Sequence, residues 1–379
     1  MTPAYAVPTT RIHSPARDPP RIANPGTSTA APPPAHETWN SETVSDHVIL
    51  LSPSANRVYA GNAHQLVAAE LEILLGGEVQ TEPVTIAAVS YLALPVSELD
   101  RRTVTALGAL SAFFAAFRRD ETNLLPVEIT PPDRLDDDLV TIPKYPGKTN
   151  EQFTRLLTNV ALASMTRTPN GATSILDPLA GRGTTLSTGL ILGHDVAGVD
   201  GDLKAVEAYA AYLRTYLRRK RLKHTADLTP VRRDGKSIGR RLDVTVTPDG
   251  ASRPQSLTVF SGDTRQSAAL FGKRKFDAVI TDAPYGVVHG SQTDVRGVSG
   301  KRDRSAAGLI SEALPVWAGQ LKTGGALGLS WNSLGVTRER LTELATGVGL
   351  RPLESGPYLR FAHRVDSSIH RDIFVAVKD

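Results

Sequence analysis

Thr281-Asp282-Ala283-Pro284-Tyr285-Gly286 is the stretch of this chain best equipped for chemistry. Its four central residues offer a carboxylate at Asp282, a carbonyl at Ala283, a locked turn at Pro284 and a stacking ring at Tyr285. That set suits an exocyclic amine on a flat base. Such an amine delocalises its lone pair into the ring, so it reacts only when that pair is drawn toward an electrophile. Two acceptors, the Asp282 carboxylate and the Ala283 carbonyl, would take one amine hydrogen each. Positioning and charge stabilisation then carry the work and no strong base is required. Pro284 biases Ala283 toward extended backbone, which aims its carbonyl outward. Stacking on a ring such as Tyr285 is worth about 1–3 kcal/mol in single-strand binders. A base reaches a pocket of this kind only when unpaired or flipped out of its helix. Taken alone, the tetrapeptide is equally compatible with a plain turn.

Three further acidic residues tip that balance. Asp177 opens the run Asp177-Pro178-Leu179-Ala180-Gly181-Arg182-Gly183-Thr184-Thr185, which follows a short apolar strand at 173–176 and precedes a helix. Glycines at 181 and 183 allow a tight turn and a close approach of backbone to ligand. The third glycine of a dinucleotide-binding turn is absent, since Leu186 stands there. Asp200 ends the next strand and can accept both hydroxyls of a ribose. Asp263, with Thr264 beside it, follows a further strand and is placed to face an adenine amine. An adenosine ligand lacking pyrophosphate, with a charged amino-acid group near Asp177, fits S-adenosylmethionine better than NAD. The competing reading is a Rossmann-type nucleotide-binding domain without this chemistry.

These residues need a scaffold of alternating strands and helices, and the chain supplies one. Residues 1–40 are dense in Pro, Ala, Ser and Thr and read as a disordered tail. Residues 45–130 read as a small α/β domain in βαβαβ order, with strands at 47–51, 84–94 and 124–129 and helices at 62–75 and 101–117. Its expected role is a substrate-binding appendage or a structural cap. Residues 131–147 hold four prolines and Asp136-Asp137-Asp138 and read as a linker. Residues 148–379 form the expected catalytic domain. Its first helix is capped by Thr149 or Asn150, and strands follow at 173–176, 195–199, 276–280 and 326–330. A basic hairpin is expected near 224–256, with arms at 242–247 and 257–260, and a terminal hairpin at 358–377. The expected fold is a doubly wound, Rossmann-like sheet.

Asp177-Pro178 through Thr184, Asp200, Asp263 and Asp282 through Tyr285, in that order, resemble the class I S-adenosylmethionine-dependent amino-methyltransferases. The nearest group is similar to the tRNA guanine-N2 methyltransferases that carry an N-terminal THUMP-type domain. Gly147-Lys148-Thr149-Asn150 and His363-Arg364-Val365-Asp366 extend the resemblance over residues 144–379. It implies that Thr149 and Phe153, before and within the first helix, help to hold the donor. It also implies a tRNA substrate, S-adenosylmethionine as cofactor and a possible THUMP-like role for residues 45–130. The family's acceptor motif is usually Asp-Pro-Pro-Tyr, and Ala283 stands at its second position here.

Composition narrows the rest. The 379 residues include no cysteine, which excludes disulfides, zinc-thiolate sites and thiol nucleophiles. The net charge is only +4, but Arg218-Arg219-Lys220-Arg221 with Lys223, and the loop 296–304, concentrate basic residues. Contacts from such segments to phosphate are sequence-independent and salt-sensitive. His289, His363 and His370 lack metal-ligand spacing, and no metal site is expected. Trp331-Asn332 ends a strand near the pocket, and a core tryptophan is the expected reading. A cytoplasmic nucleic-acid N-methyltransferase is the resulting expectation. The alternatives are an N6-adenine or N4-cytosine DNA methyltransferase, and a non-catalytic nucleic-acid-binding protein that retains the fold.

Overall fold

The computed structural model describes residues 47–54, 57–120, 123–233, 236–285 and 306–379. The expected tail 1–40, Gly286, His289 and the basic loop 296–304 lie outside the described residues. Val44–Asp379 forms one compact unit built on two sheets.

The smaller sheet contains β1 (His47–Leu51), β2 (Glu82–Ile86), β3 (Val89–Leu94), β4 (Phe113–Asp120) and β5 (Asn123–Val127), with α1 (Arg57–Leu75) and α2 (Arg101–Ala109). All of its pairings are antiparallel, in the order β2-β3-β1-β4-β5. The expected βαβαβ unit is therefore corrected in two places. The single strand expected at 84–94 is a hairpin that reverses at Ala87 and Ala88, whose φ angles are 49° and 63°. Two consecutive positive φ values are the mark of a tight hairpin turn, and alanine gives no sequence signal for one. The helix expected at 101–117 stops at Ala109, and the Ala- and Phe-rich remainder pairs with β1 instead. There Ser111 is held by Glu70 of α1, whose carboxylate accepts its amide at 3.0 Å and its hydroxyl at 2.6 Å.

The larger part begins with α3 (Asp138–Thr141) and α4 (Glu151–Ala163), then alternates. It runs through β6 (Ser174–Asp177), α5 (Thr184–Ile191), β7 (Asp195–Asp200), α6 (Leu203–Arg219), β8 (Lys223–Arg233), β9 (Lys236–Thr247) and β10 (Gln255–Ser261). It closes with α7 (Ser267–Phe271), β11 (Phe276–Asp282), α8 (Ala306–Gln320), β12 (Leu321–Asn332), α9 (Arg338–Gly347), β13 (Leu350–Pro352), β14 (His363–Arg364) and β15 (His370–Lys378). The strand order is β13-β15-β12-β11-β6-β7-β10-β9-β8. β10, β7, β6, β11 and β12 are mutually parallel, and β15 enters antiparallel beside β12.

A parallel sheet covered on both faces needs near-continuous apolar strands. Ile175, Val196, Ala278 and Ile280 face one core with α4, α5 and α6. Leu176, Ala197 and Val279 face the other with α8 and α9. The arms expected at 242–247 and 257–260 do pair antiparallel, but β9 also pairs with β8, a polar edge strand the sequence did not signal. The expected terminal hairpin shrinks to the two-residue β14 against β15.

The segment read as a linker is docked. Leu135, Leu139 and Val140 are buried, and the Arg134 amide donates to the Ile191 carbonyl at 2.6 Å. α1 lies along α4, where Asn159 donates to the buried Glu70 carboxylate at 2.7 Å. Burial raises the pKa of Glu70, and the bonds from Asn159 and Ser111 oppose that rise.

Candidate active site

β6, β7 and β11 end at Asp177, Asp200 and Asp282, and β10 ends just before Asp263. Strand order reverses between β6 and β11: successive strands lie to one side of β6 through β7 and β10, and to the other through β11 and β12. In open sheets, ligands bind outside the carboxyl ends of the strands at such a switch point. A cavity of about 480 Å³ sits here, lined by Thr149, Asp177, Gly181, Thr184, Asp282, Ala283, Pro284 and Tyr285 among the residues expected from sequence. Phe153, Gly183, Asp200, Asp263 and Thr264 do not line it. A larger cavity of about 730 Å³ adjoins it along the smaller sheet, and Tyr145, Lys148 and Asn150 border both.

The glycine turn is built by two different requirements. Gly181 has φ +51°, and a Cβ there would meet nothing within 4 Å, so the turn is open toward the cavity. Gly183 has φ +78°, and a Cβ would come within 2.5 Å of the Tyr209 ring. Gly183 is thus needed for packing against α6, a requirement additional to the ligand approach expected of the turn. Replacing Gly183 by Val is expected to lower stability by about 2–4 kcal/mol, from overpacking and a left-handed φ together. A denaturant midpoint measured with an unchanged m-value checks it.

Asp200 braces that turn from behind. Its carboxylate accepts the Gly181 amide at 2.6 Å and the Asp202 amide at 2.8 Å. Burial raises its pKa while those two amides oppose the rise. Each carboxylate oxygen has a second lone pair, so a ribose hydroxyl can still be accepted. Asp263 is held by Arg265 through Oδ1 at 2.9 Å and Oδ2 at 2.7 Å, besides capping its own turn. Thr264 is buried and accepts the Trp317 indole N–H at 2.9 Å. Phe153 is fully buried, with His363 edge-on to its ring at 5.4 Å. These three side chains are fixed by the protein's own contacts.

Asp177 is 2 % exposed and accepts the Thr281 hydroxyl at 2.7 Å and the Leu179 amide at 3.1 Å. Thr281 immediately precedes Asp282, so the two halves of the crevice share a hydrogen bond. Burial pushes the Asp177 carboxyl from the ordinary 3.8 up to about 7, against the pull of Thr281 and Leu179. The folded protein therefore keeps a proton that the unfolded chain releases, and folding stability falls as pH rises from about 4 to about 7. Above that range the contribution is constant and unfavourable. Asp177→Asn removes it, so the variant's thermal midpoint is expected to gain on the parent's between pH 4 and 7 and to hold that gain at pH 8. Parallel melting curves across this range read the difference directly.

The acceptor motif closes on itself. Tyr285 donates to Asp282 Oδ1 at 2.5 Å and its hydroxyl lies 3.4 Å from Ser330 Oγ, while Thr149 donates to Asp282 Oδ2. Thr149, expected beside the donor, therefore braces the Asp282 carboxylate. Burial and the charge of Asp282 push the Tyr285 phenol upward, so it remains a donor. The Ala283 amide donates to the Ser330 carbonyl at 2.8 Å, which fixes the peptide at the strand end. Arg371, from β15, also lines the cavity and was not expected from sequence. Its place follows from the pairing of Arg371 with Asn332 in β12, a long-range register that spacing cannot reveal.

The basic stretches divide. Lys220 bridges Asp136 and Asp138 at 2.6 and 2.7 Å, and Arg241 pairs with Asp243. Arg218, Arg219, Arg221 and Lys223 are exposed. Trp331 is core, as expected, and donates to the Val336 carbonyl. Among the described residues no helix is long and apolar enough to cross a membrane.

The order β10-β7-β6-β11-β12-β15-β13, antiparallel at β15, defines a Rossmann-like class I methyltransferase fold. No protein-family profile matches the chain, and no curated protein resembles it significantly. Among solved structures it is similar to TrmN from Thermus thermophilus, at 14% identity over 88% of this chain and 99% of that one, with a TM-score of 0.42. A TehB-like SAM-dependent methyltransferase from Corynebacterium glutamicum aligns at 16% identity over 56% and 83%, with a TM-score of 0.32. The T. thermophilus 16S rRNA N2 G1207 methyltransferase RsmC, solved with AdoMet and guanosine, aligns at 15% identity over 79% and 58%, with a TM-score of 0.34.

Proposed function

We propose that this protein is an S-adenosylmethionine-dependent N-methyltransferase acting on an exocyclic amine of a nucleic-acid base, with guanine N2 in tRNA as the preferred target. The observation that carries the reading is one cavity bordered both by the open Gly181 turn and by Asp282–Tyr285. The cofactor's residues fit: an open glycine turn at Gly181, Asp177 lining the same cavity, and Asp200 holding the turn from behind with lone pairs left for a ribose hydroxyl. When bound, S-adenosylmethionine supplies an electrophilic methyl group. Asp177, Gly181 and Thr184 hold it at the ends of β6 and α5. On the other side Asp282 accepts one amine hydrogen and the Ala283 carbonyl accepts the second, which draws the nitrogen toward tetrahedral geometry and localises its lone pair for attack on the methyl group. Because both Asp282 oxygens already accept a hydroxyl, the amine either shares an oxygen with Tyr285 or Thr149 or displaces it. The proton released on transfer passes first to Asp282, the nearest anionic acceptor.

The cations of the adjoining cavity, Lys144, Lys148 and Arg155, are paired with its own Glu151 and Asp133, so support for a polyanionic substrate comes from exposed basic residues elsewhere. Exposed Arg218, Arg219, Arg221 and Lys223 suit contacts to its phosphates. The DNA alternative uses the same tetrapeptide chemistry and is kept as an outcome of the test. The full chain is incubated with labelled donor and separate pools of tRNA, rRNA and DNA, each then digested to nucleosides. Label confined to N2-methylguanosine from tRNA is the expected result. Label in N6-methyldeoxyadenosine or N4-methyldeoxycytidine overturns it in favour of DNA.

A further inference from the structure

The last strand carries a cation for which the chemistry above has no use. Arg371 is 6 % exposed and borders the same cavity as Asp282. Its guanidinium carbon lies 4.7 Å from the centre of the Phe153 ring and 5.0 Å from that of Tyr285. Its Nε is buried without a hydrogen-bond partner among the described residues. Nearby carboxylates are engaged elsewhere: Asp372 by Arg338 at 2.7 Å, and Asp282 by Tyr285 and Thr149. Buried charges are ordinarily paired, because an unpaired one loses its hydration without return. A buried arginine aimed at a ligand cavity with donors to spare marks a place where a ligand supplies the acceptors.

We propose that Arg371 reads the acceptor base, donating to a ring carbonyl and ring nitrogen on the edge of a guanine-type purine whose amine is held at Asp282. This rests on the reading of Asp282 as the amine-holding residue. Two rings against the guanidinium leave mainly its N–H groups to meet a ligand. An arginine fork matches an oxygen and a nitrogen acceptor lying in one plane, the pair that guanine presents. At 6 % exposure Arg371 sits in the wall of the cavity, where a base that has entered can meet it and a backbone phosphate at the surface is less well placed to. The donor side of the cavity has its own cations: Lys148, and Arg182, whose guanidinium carbon is 4.9 Å from the Tyr145 ring centre. Arg371 therefore belongs with the acceptor half, where it sets specificity.

The test compares the full chain with Arg371→Met and Arg371→Lys on the tRNA that the parent methylates, assembled with either guanosine or 2-aminopurine riboside at the target position. The second base keeps the amine and lacks the carbonyl. The parent enzyme is expected to prefer guanosine about 10–100-fold in kcat/KM, the range of one bidentate base contact. Arg371→Met should lose that factor on guanosine alone, erasing the preference, and Arg371→Lys should keep part of it. S-adenosylmethionine affinity by calorimetry should stay within about twofold, and the melting temperature of Arg371→Met should not fall, because an unpaired buried cation is removed. Equal losses on both bases, a preference that survives in Arg371→Met, or a tenfold loss of donor affinity each overturn the proposal. A parent enzyme that methylates both bases equally overturns this inference alone. One that binds donor yet modifies neither RNA overturns the reading of Asp282 on which it rests.

Discussion

Replacing Asp282 by Ala is expected to lower methyl transfer about 10²–10³-fold while S-adenosylmethionine still binds with nearly parental affinity. The magnitude is that of removing one group aimed at developing charge, about 3–4 kcal/mol in the barrier. The separation follows from geometry: Asp282 ends β11, whereas the residues proposed to hold the donor lie at the ends of β6 and α5. Asp282→Ala also strands the Tyr285 and Thr149 hydroxyls that donate to it, so Asp282→Asn is the cleaner partner variant. The asparagine keeps an acceptor oxygen for one hydroxyl and loses the charge that draws the amine. Single-turnover rates at saturating donor, with donor affinity measured separately, read the two effects apart. Full transfer by Asp282→Ala would refute amine positioning by this residue.

Asp200→Ala is expected to do the reverse. It removes the carboxylate that accepts both the Gly181 and the Asp202 amides. Hydrogen bonds to a charged group contribute about 1.5–3 kcal/mol each, so the turn loosens and donor affinity falls about 10–150-fold from the loss of one alone. Any bond to the ribose adds to that. Stability falls as well, because two amides lose their partner, and Asp200→Asn should recover part of it. Titration calorimetry with S-adenosylmethionine gives the affinity. An Asp200→Ala variant that folds and binds donor as the parent does contradicts the placement of the donor at this turn.

What the sequence made legible was whatever short-range chemistry encodes. The apolar runs before Asp177, Asp200 and Asp282 read as buried strands because parallel strands covered on both faces are apolar throughout. The Asn150 cap of α4 was legible for the same local reason: its side chain accepts the Phe153 amide. The reversal at Ala87-Ala88 was not, because alanine is an unusual occupant of positive φ. Nor was the strand 113–120, since its Ala- and Phe-rich start has no clear period and the pairing with β1 decides it. β8 escaped notice because an edge strand with one solvated side need not be apolar.

The site followed the same division. Carboxylates at strand ends were visible, but the partners that hold them were not. Thr149 was expected beside the donor, and its hydrogen bond to Asp282, from 133 residues away in the chain, was not foreseen. Asp263 was assigned to an adenine amine and is gripped by Arg265, two residues on. Arg371 carried no signal at all, because its meaning depends on β15 lying beside β12 and on the rings of Phe153 and Tyr285 converging there.

Transfer of a methyl group from S-adenosylmethionine to an exocyclic amine held at Asp282 is the proposed reaction. The measurement closest to it is the position of the transferred methyl on the product nucleoside, obtained by digesting labelled nucleic acid and fragmenting the nucleosides by mass spectrometry. Label on an exocyclic nitrogen, foremost N2 of guanine, is the expected result. Label on a ring carbon, a ring nitrogen or a ribose oxygen would contradict it, and so would no transfer to any nucleic acid by a chain that binds the donor.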